Sequence, residues 1–318
     1  MTACRICLRP IDGDPPYHPA CLESLFGSRT LPRIEFSLPS LMRLASEMAG
    51  KMSISGMQEK VSLKLSDDKS RLEVAPSGGR YILKPEPSRF AFVPQNEHLT
   101  MSLARLVGVE VPPFGLFELT DGAVAYVVKR FDRGDDGSKY LMEDFCQLAG
   151  KPLRDKYEGS GELCVRILRE FATEPLIEIR KLFKMLLFSW CVANGDQHLK
   201  NFSMFTQAGG MRRLTPAYDL ICTRLPIPSD RSLALTIGGK KSNLGRRLWL
   251  DFAGYCRIPE RAAERLLAEQ IDALDSAVTL IRHSFLPAEL RAEYEAILRE
   301  NTERLAEESA PLNSSRAP

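Results

Sequence analysis

Asp196 and Asn201 stand in a polar segment, Asn194-Gly-Asp-Gln-His-Leu-Lys-Asn201, directly after a run from Leu182 to Ala193 that is apolar on almost every face. The run predicts a helix buried in the middle of a domain, and the polar segment a loop leaving it. An aspartate and an asparagine with four residues between them on such a loop suit phosphoryl transfer. There the carboxylate orients and deprotonates an attacking hydroxyl, while the amide carbonyl holds a Mg2+ that bridges nucleotide phosphates. That chemistry asks for a second metal-binding acid downstream. Asp219, within Tyr218-Asp-Leu220, lies eighteen positions beyond Asn201, after a predicted short strand at 202–205 and the turn Gln207-Ala-Gly-Gly210. Taken alone the three residues are weak evidence, because loops and turns commonly carry Asp and Asn.

The upstream half supplies elements that position such a loop. Val61, Leu63 and Leu65 alternate with Ser62, Lys64 and Ser66, the period of a strand. Asp67 to Ser70 turns into Leu72 to Ala75, and Pro76-Ser-Gly-Gly79 turns into Tyr81 to Lys84, giving three antiparallel strands. The small-residue turn before them, Lys51 to Lys60, can lay backbone N–H groups over phosphates, with Lys84 reaching them as a point charge. A lone lysine closing a strand is otherwise simply solvated. The helix expected over 95–107 carries Glu97 near its start, either as the acid that positions the lysine or as a first-turn complement to the helix dipole. A hairpin, Phe114 to Leu119 and Ala123 to Lys129, ends in Arg130-Phe-Asp-Arg133. In that connection the Lys129 to Phe131 backbone is free to meet an adenine edge, or Arg130 and Asp132 pin the linker through salt bridges. Helices are expected over 141–149, 162–172, 175–193, 249–256, 260–282 and 287–306, and the polar residues 307–318 read as a disordered tail. The expected fold is α+β and two-lobed, like a protein kinase: an antiparallel-sheet N-lobe at 51–133 and a mostly helical C-lobe at 134–306, behind a small cap and connector at 1–50.

The chain's 318 residues, 44% hydrophobic and 26% charged with a net charge of +2, describe a globular protein with no general pull toward nucleic acid or membrane. No signal peptide opens it and no apolar run approaches the roughly twenty residues that span a bilayer, so a cytoplasmic protein is expected. Of eight cysteines, Cys146, Cys164, Cys191, Cys222 and Cys256 are isolated among mostly apolar neighbours and read as small buried hydrophobes. The other three form C-x2-C-x10-H-x2-C: Cys4, Cys7, His18 and Cys21. Two ligand pairs, each from one tight turn, are what a tetrahedral structural zinc requires, and four ligands leave no position open for substrate. Such a cap would be zinc-ribbon-like. The competing reading is chance clustering of buried cysteines with a surface histidine.

Seven motifs in order resemble one family. Ser53-Ile-Ser-Gly-Met-Gln-Glu-Lys60, Tyr81-Ile-Leu-Lys-Pro85, Asn96-Glu-His98, Lys129-Arg-Phe-Asp-Arg133, Glu143-Asp-Phe-Cys-Gln147, Asn194 to Asn201 and Pro216-Ala-Tyr-Asp219 together look like the HipA-type serine/threonine kinases of bacterial toxin–antitoxin systems, over about residues 50 to 300. The resemblance implies that Asp196 is the catalytic base and that Asn201 and Asp219 are Mg2+ ligands. It implies that Ser55, Gly56, Met57, Gln58, Glu59 and Lys60, with Lys84, the Lys129, Arg130 and Phe131 backbone, His198 and Tyr218, surround ATP. Ser53 and Ser55 match positions that such kinases autophosphorylate, where close to two added negative charges would oppose the ATP phosphates and lower activity; the competing reading is that these serines merely cap the turn. The short N-terminal part is similar to the HipT-type arrangement. In it a separate small protein supplies the missing subdomain and a helix-turn-helix antitoxin completes the complex, with DNA met only through that antitoxin. Kinases of this family phosphorylate a protein, in known cases an aminoacyl-tRNA synthetase, and so inhibit translation.

Three other readings compete. A small-molecule kinase of the aminoglycoside or lipid type uses the same Asp/Asn/Asp logic, although the Ser53-Ile-Ser55 turn argues for the protein kinase. A non-catalytic scaffold or corepressor of a DNA-binding partner would not need Lys84 and all three polar positions intact. A zinc-ribbon nucleic-acid binder rests on the N-terminal cluster alone and lacks a basic, aromatic strip.

Overall fold

The computed structural model describes residues 2–49, 59–134, 138–207 and 209–307. The expectations for Ser53, Ser55, Gly56, Met57 and Gln58, and for the tail from 308, lie outside the described residues.

The N-terminal segment pairs β1 (Thr2–Ala3) with β2 (Pro10–Ile11) and adds α1 (Pro19–Phe26) and α2 (Leu38–Ala49). Then come β3 (Val61–Leu65), β4 (Leu72–Val74), β5 (Tyr81–Pro85), α3 (Val93–Leu106), β6 (Phe114–Glu118) and β7 (Val124–Lys129). The strands form one antiparallel sheet in the order β4-β3-β5-β7-β6. A strand's period of two sorts its side chains between two cores. Tyr81 and Leu83 of β5, Ala125 and Val127 of β7 and Phe117 of β6 pack with Ile6, Tyr17, Leu22, Leu25 and Phe26 of the N-terminal segment. Phe114, Leu116 and Tyr126 take the opposite face and join Leu99 and Leu103 of α3 in the main core. Lys84 follows Leu83 and lies in register with Tyr126, so the alternation delivers its ammonium to the α3 side.

The second half contains β8 (Leu141–Asp144), α4 (Phe145–Leu148), α5 (Gly161–Phe171), α6 (Pro175–Cys191), β9 (Ser203–Thr206), β10 (Arg212–Leu214), α7 (Arg246–Tyr255), α8 (Glu260–Asp272), α9 (Leu274–His283) and α10 (Ala288–Ala306). Proline in the first turn of α6 costs no intrahelical hydrogen bond. From Leu182 to Cys191 only Lys184 of this helix is not buried, as the unbroken apolar run requires. Phe183 and Trp190 pack on Trp249 of α7, and Asn301 of α10 donates to the Trp190 and Cys191 carbonyls at the end of α6. The five isolated cysteines are all buried and form no disulfide. No described helix is long and apolar enough to cross a membrane.

Two expected helices are corrected. Residues 141–149 are a strand followed by one helical turn: Leu141 to Asp144 pair with β9, and Asp144 then caps α4 through a capping box with Gln147. A strand partner some sixty residues away outweighs the local helical preference. The helix expected over 260–282 breaks at Ala273, which keeps near-helical dihedrals of −76° and −9°. The chain changes direction there, so that α8 packs on α7 while α9 turns to pack on α3.

Candidate active site

The Asn194 to Asn201 loop is held from within. Ala193 takes a positive φ of 51° to end α6, and the Asn194 N–H donates back to the Ser189 carbonyl at 2.8 Å. The Asn194 amide donates to Gln197 Oε1 at 3.1 Å and its oxygen accepts from the Asp196 N–H at 3.1 Å. Gln197 in turn donates to the Asn201 carbonyl, and Asn201 Nδ2 donates to the Asp196 carbonyl at 2.8 Å. Buried polar groups are thereby paired, and the main chain that carries Asp196 is fixed. The Asp196 carboxylate itself stays half exposed, at 47%. The Asn201 amide, with its nitrogen committed, has its oxygen left for a cation.

Lys84 joins segments that are far apart in sequence. Its ammonium, 3% exposed, lies 2.5 Å from Glu97 Oε1 and also bonds Asp219 Oδ1, while Lys60 holds Asp219 Oδ2 at 3.1 Å. Of the two readings of Glu97, the structure takes the lysine partner. Burial disfavours the charged Lys84, but the Asp219 and Glu97 carboxylates outweigh it and hold the ammonium protonated, its pKa raised. Burial likewise pushes the Glu97 carboxyl up, with Lys84 opposing. Burial acts on Asp219 in the same sense, yet Lys60 and Lys84 together depress its pKa well below the usual carboxylate range. Asp219 adopts a positive φ of 55°, a conformation that Asp tolerates better than most residues and that recurs at functional sites. Asn96 locks this arrangement: beside Glu97 on α3, it donates to the Cys222 carbonyl at 2.9 Å and accepts from the Cys222 N–H at 3.0 Å. The helix with the acid and the segment with Asp219 are therefore tied directly.

The connection after β7 is partly spent on the fold. The Lys129 and Arg130 N–H groups donate to the Pro113 and Arg80 carbonyls, each at 2.8 Å, which corrects the expectation that this whole stretch of backbone is free. Of its three N–H groups only that of Phe131 has no acceptor among the described residues. Arg130 forks onto Asp132 at 2.7 and 2.8 Å and Arg133 adds a third contact, so these side chains pin the linker. The Phe131 ring lies 5.7 Å from that of Tyr218, whose hydroxyl contacts Ser203 Oγ at 2.6 Å and donates to the Lys200 carbonyl at 2.9 Å. His198 Nε2 is 3.8 Å from Asp196 Oδ1, and burial depresses the imidazole's pKa, keeping it neutral. Glu59 is described but exposed.

Three residues at the site carried no signal in the sequence. Tyr157 donates its hydroxyl to Asp196 Oδ1 and sets its ring edge-on to His198 at 4.9 Å. Thr223 Oγ1 accepts from the Gly195 N–H at 2.8 Å. The Asp230 carboxylate presses on Gly195 so closely that a Cβ there would lie 2.2 Å from Oδ2. A side chain at this position would have to push the Asp230 carboxylate aside.

Asn201 and Asp219 offer hard oxygen donors, the kind a small divalent cation such as Mg2+ takes, and both Asp219 oxygens are held by the Lys60 and Lys84 ammonium groups. In the N-terminal segment, Cys4, Cys7, His18 and Cys21 also converge, their ligand atoms all within 4.8 Å of one another.

Residues 52–278 match the family described as HipA-like C-terminal domain. Among known proteins, the chain is 30% identical over 259 residues to a Sinorhizobium fredii protein named "Putative kinase Y4mE", covering 78% of this chain and 61% of that protein. It is 27% identical over 239 residues to a Haemophilus influenzae protein named "Putative kinase", covering 70% of this chain and 68% of that one. The chain thus spans less than two thirds of the length of Y4mE. Among solved structures it is similar to Shewanella oneidensis HipA, determined in complex with HipB and operator DNA, with a TM-score of 0.67 at 23% identity over 80% of this chain and 65% of that one. The Helicobacter pylori proinflammatory kinase CtkA matches with a TM-score of 0.53 at 14% identity, over 80% and 92% of the two chains. The fold is the mixed α+β, kinase-like fold of these two proteins.

Proposed function

The chain belongs to the HipA-like C-terminal domain family, and from that premise we propose that it is a kinase that transfers the γ-phosphoryl group of ATP to a serine or threonine hydroxyl of a protein. The observation that carries this reading is the run of ion pairs Glu97, Lys84, Asp219 and Lys60, which gathers four segments of the chain beside the Asp196 loop.

Asp196 accepts the proton of the attacking hydroxyl; its exposed carboxylate already receives a hydroxyl donor, Tyr157. Asn201 and Asp219 would hold Mg2+, which would neutralise charge on the phosphates. Lys84, held by Glu97, and Lys60 supply positive charge to the phosphates. The Phe131 N–H and the Phe131 and Tyr218 rings receive the adenine, with the neutral His198 nearby. Ser53 and Ser55 are proposed autophosphorylation sites. We further place the protein in a toxin–antitoxin system, a setting that the family and the Shewanella HipA complex with HipB and operator DNA support, and we infer the HipT-type arrangement from the motif resemblance alone. Its partners in this reading are a helix-turn-helix antitoxin, through which it meets DNA, and a separate small protein, and its target lies in the translation machinery, such as an aminoacyl-tRNA synthetase.

The test is intact mass of the full chain after incubation with Mg2+ and ATP, beside Asp196→Asn, with phosphosites mapped on any shifted species. Addition of phosphoryl groups at Ser53 or Ser55 in the wild type and none in the variant is expected. Transfer to a small hydroxyl substrate but to no protein would replace this reading with that of a small-molecule kinase. A protein that neither binds ATP nor gains mass would be a scaffold.

A further inference from the structure

We propose that Cys4, Cys7, His18 and Cys21 bind one Zn2+ in a closed tetrahedral site, and that this ion braces the sheet edge and α3, the helix that carries Glu97.

The ligand geometry argues for the ion. Cys4 and Cys7 flank a turn closed by the Leu8 N–H on the Cys4 carbonyl at 2.9 Å, with Leu8 in a positive φ of 60°. His18 caps the start of α1 and Cys21 sits in its first turn. Cys7 Sγ and Cys21 Sγ lie 3.4 and 4.0 Å from His18 Nδ1. Zinc bonds of about 2.3 Å to sulfur and 2.0–2.1 Å to nitrogen place tetrahedral ligands about 3.6–3.8 Å apart. The observed cluster, within 4.8 Å throughout, therefore needs little movement to close on the ion. The segment's own secondary structure is small, two strands of two residues and one helix of eight, so a metal adds to the packing that holds it against the sheet.

The residues between the ligands show what the ion would hold. β6 is an edge of the five-stranded sheet, and its Leu116 N–H donates to the Arg5 carbonyl at 2.8 Å while the Leu116 carbonyl accepts from the Tyr17 hydroxyl at 2.9 Å. The turn therefore covers an edge that would otherwise expose unpaired groups. Gly115 admits the close approach, since a Cβ there would lie 2.7 Å from Ile6 Cγ1. Leu8, fully buried, joins the main core with Leu99 and Leu103 of α3. Arg5 pairs with Glu118 at 2.9 Å and reaches the Phe285 ring, on which His98 of α3 also packs. His98 is the residue next to Glu97. A metal that fixes residues 4–8 thus fixes the packing behind the acid that holds Lys84.

The experiment uses the full chain purified without affinity metal from zinc-containing medium. Metal analysis and native mass should find one zinc per chain, retained in Cys146→Ser and lost in Cys7→Ser or Cys21→Ser. Cobalt exchanged into the wild type should show the d–d bands of a tetrahedral thiolate site, a readout that does not depend on any variant folding. Hydrogen exchange of chelated against reloaded wild type should show α3 and β6 amides exchanging about three- to thirtyfold faster without metal, in the range of packing-mediated coupling, while α6 stays protected. A metal-free protein, or zinc retained in both ligand variants, would overturn the site. Faster exchange confined to residues 2–26 would overturn the bracing of α3. Neither readout involves nucleotide, so the result is independent of the kinase reading.

Discussion

Replacing Lys84 with methionine tests the buried ion pair as physics, before any assay of activity. Glu97, with a side chain 4% exposed, has Lys84 as its direct ionic partner, whereas Asp219 keeps Lys60 at 3.1 Å. In Lys84→Met the Glu97 carboxylate is therefore left buried and unpaired, a defect that costs about 3–5 kcal/mol. An independent limit follows from protonation. At pH 7.5 a glutamate of ordinary pKa, about 4.3, can be neutralised for about 1.4 kcal/mol per pH unit, or roughly 4 kcal/mol. The two figures agree. Glu97 in the variant has a pKa raised above its unfolded value, so the penalty is full at high pH and shrinks as pH falls. At pH 5.5 it should be about 1.6 kcal/mol, smaller by about 2.7 kcal/mol. The assay is urea denaturation of wild type, Lys84→Met, Glu97→Gln and the double variant at both pH values, read as differences from wild type. The double variant should recover most of the loss, and its difference from wild type should change less with pH than that of Lys84→Met. A single variant that loses under about 1 kcal/mol, or a loss that does not change with pH, would refute the argument. One practical consequence is that Asp196→Asn, at a half-exposed carboxylate, is the cleaner inactive control.

Removing the hydroxyl in Tyr157→Phe frees the Asp196 carboxylate from its donor; turnover should fall about three- to tenfold with little change in nucleotide affinity, as steady-state kinetics would show. Gly195→Ala sets a Cβ against the Asp230 carboxylate at 2.2 Å and should lower turnover about ten- to a hundredfold by displacing Asp196; adding Asp230→Ser should restore part of it. Burial holds the His98 pKa down at about 3, so the unfolded chain binds a proton below about 6.5 that the folded chain refuses. Stability is complete above that pH and falls as pH drops toward 3; between pH 7.5 and 5.5 wild type should lose about 1.4 kcal/mol that His98→Leu does not, read from urea curves.

Much of the site was legible because its chemistry is local. Asp196 and Asn201 lie on one loop whose own side chains close it, so their spacing carries the geometry. The Cys4 to Cys21 pattern converges for the same reason: each pair sits on a single turn. Strand alternation marked β3 to β7 as strands, and in the structure the same alternation turns Lys84 toward α3. Where chain-distant groups decide, local pattern failed. Leu141 to Asp144 become a strand only because β9 offers a partner, and Ala273 breaks a helix so that α9 can pack on α3.

The sequence by itself determined which groups are present and how each element turns its side chains, since periodicity, caps and turns depend on neighbours along the chain. Tertiary structure alone decided that Glu97 meets Lys84 instead of the helix dipole, that Asp219 shares two lysines, and that Tyr157 and Asp230 close on the Asp196 loop. Those contacts join residues between 13 and 159 positions apart. What selects the Glu97, Lys84 and Asp219 contacts is the cost of burying unpaired charge, which exists only after these segments have packed.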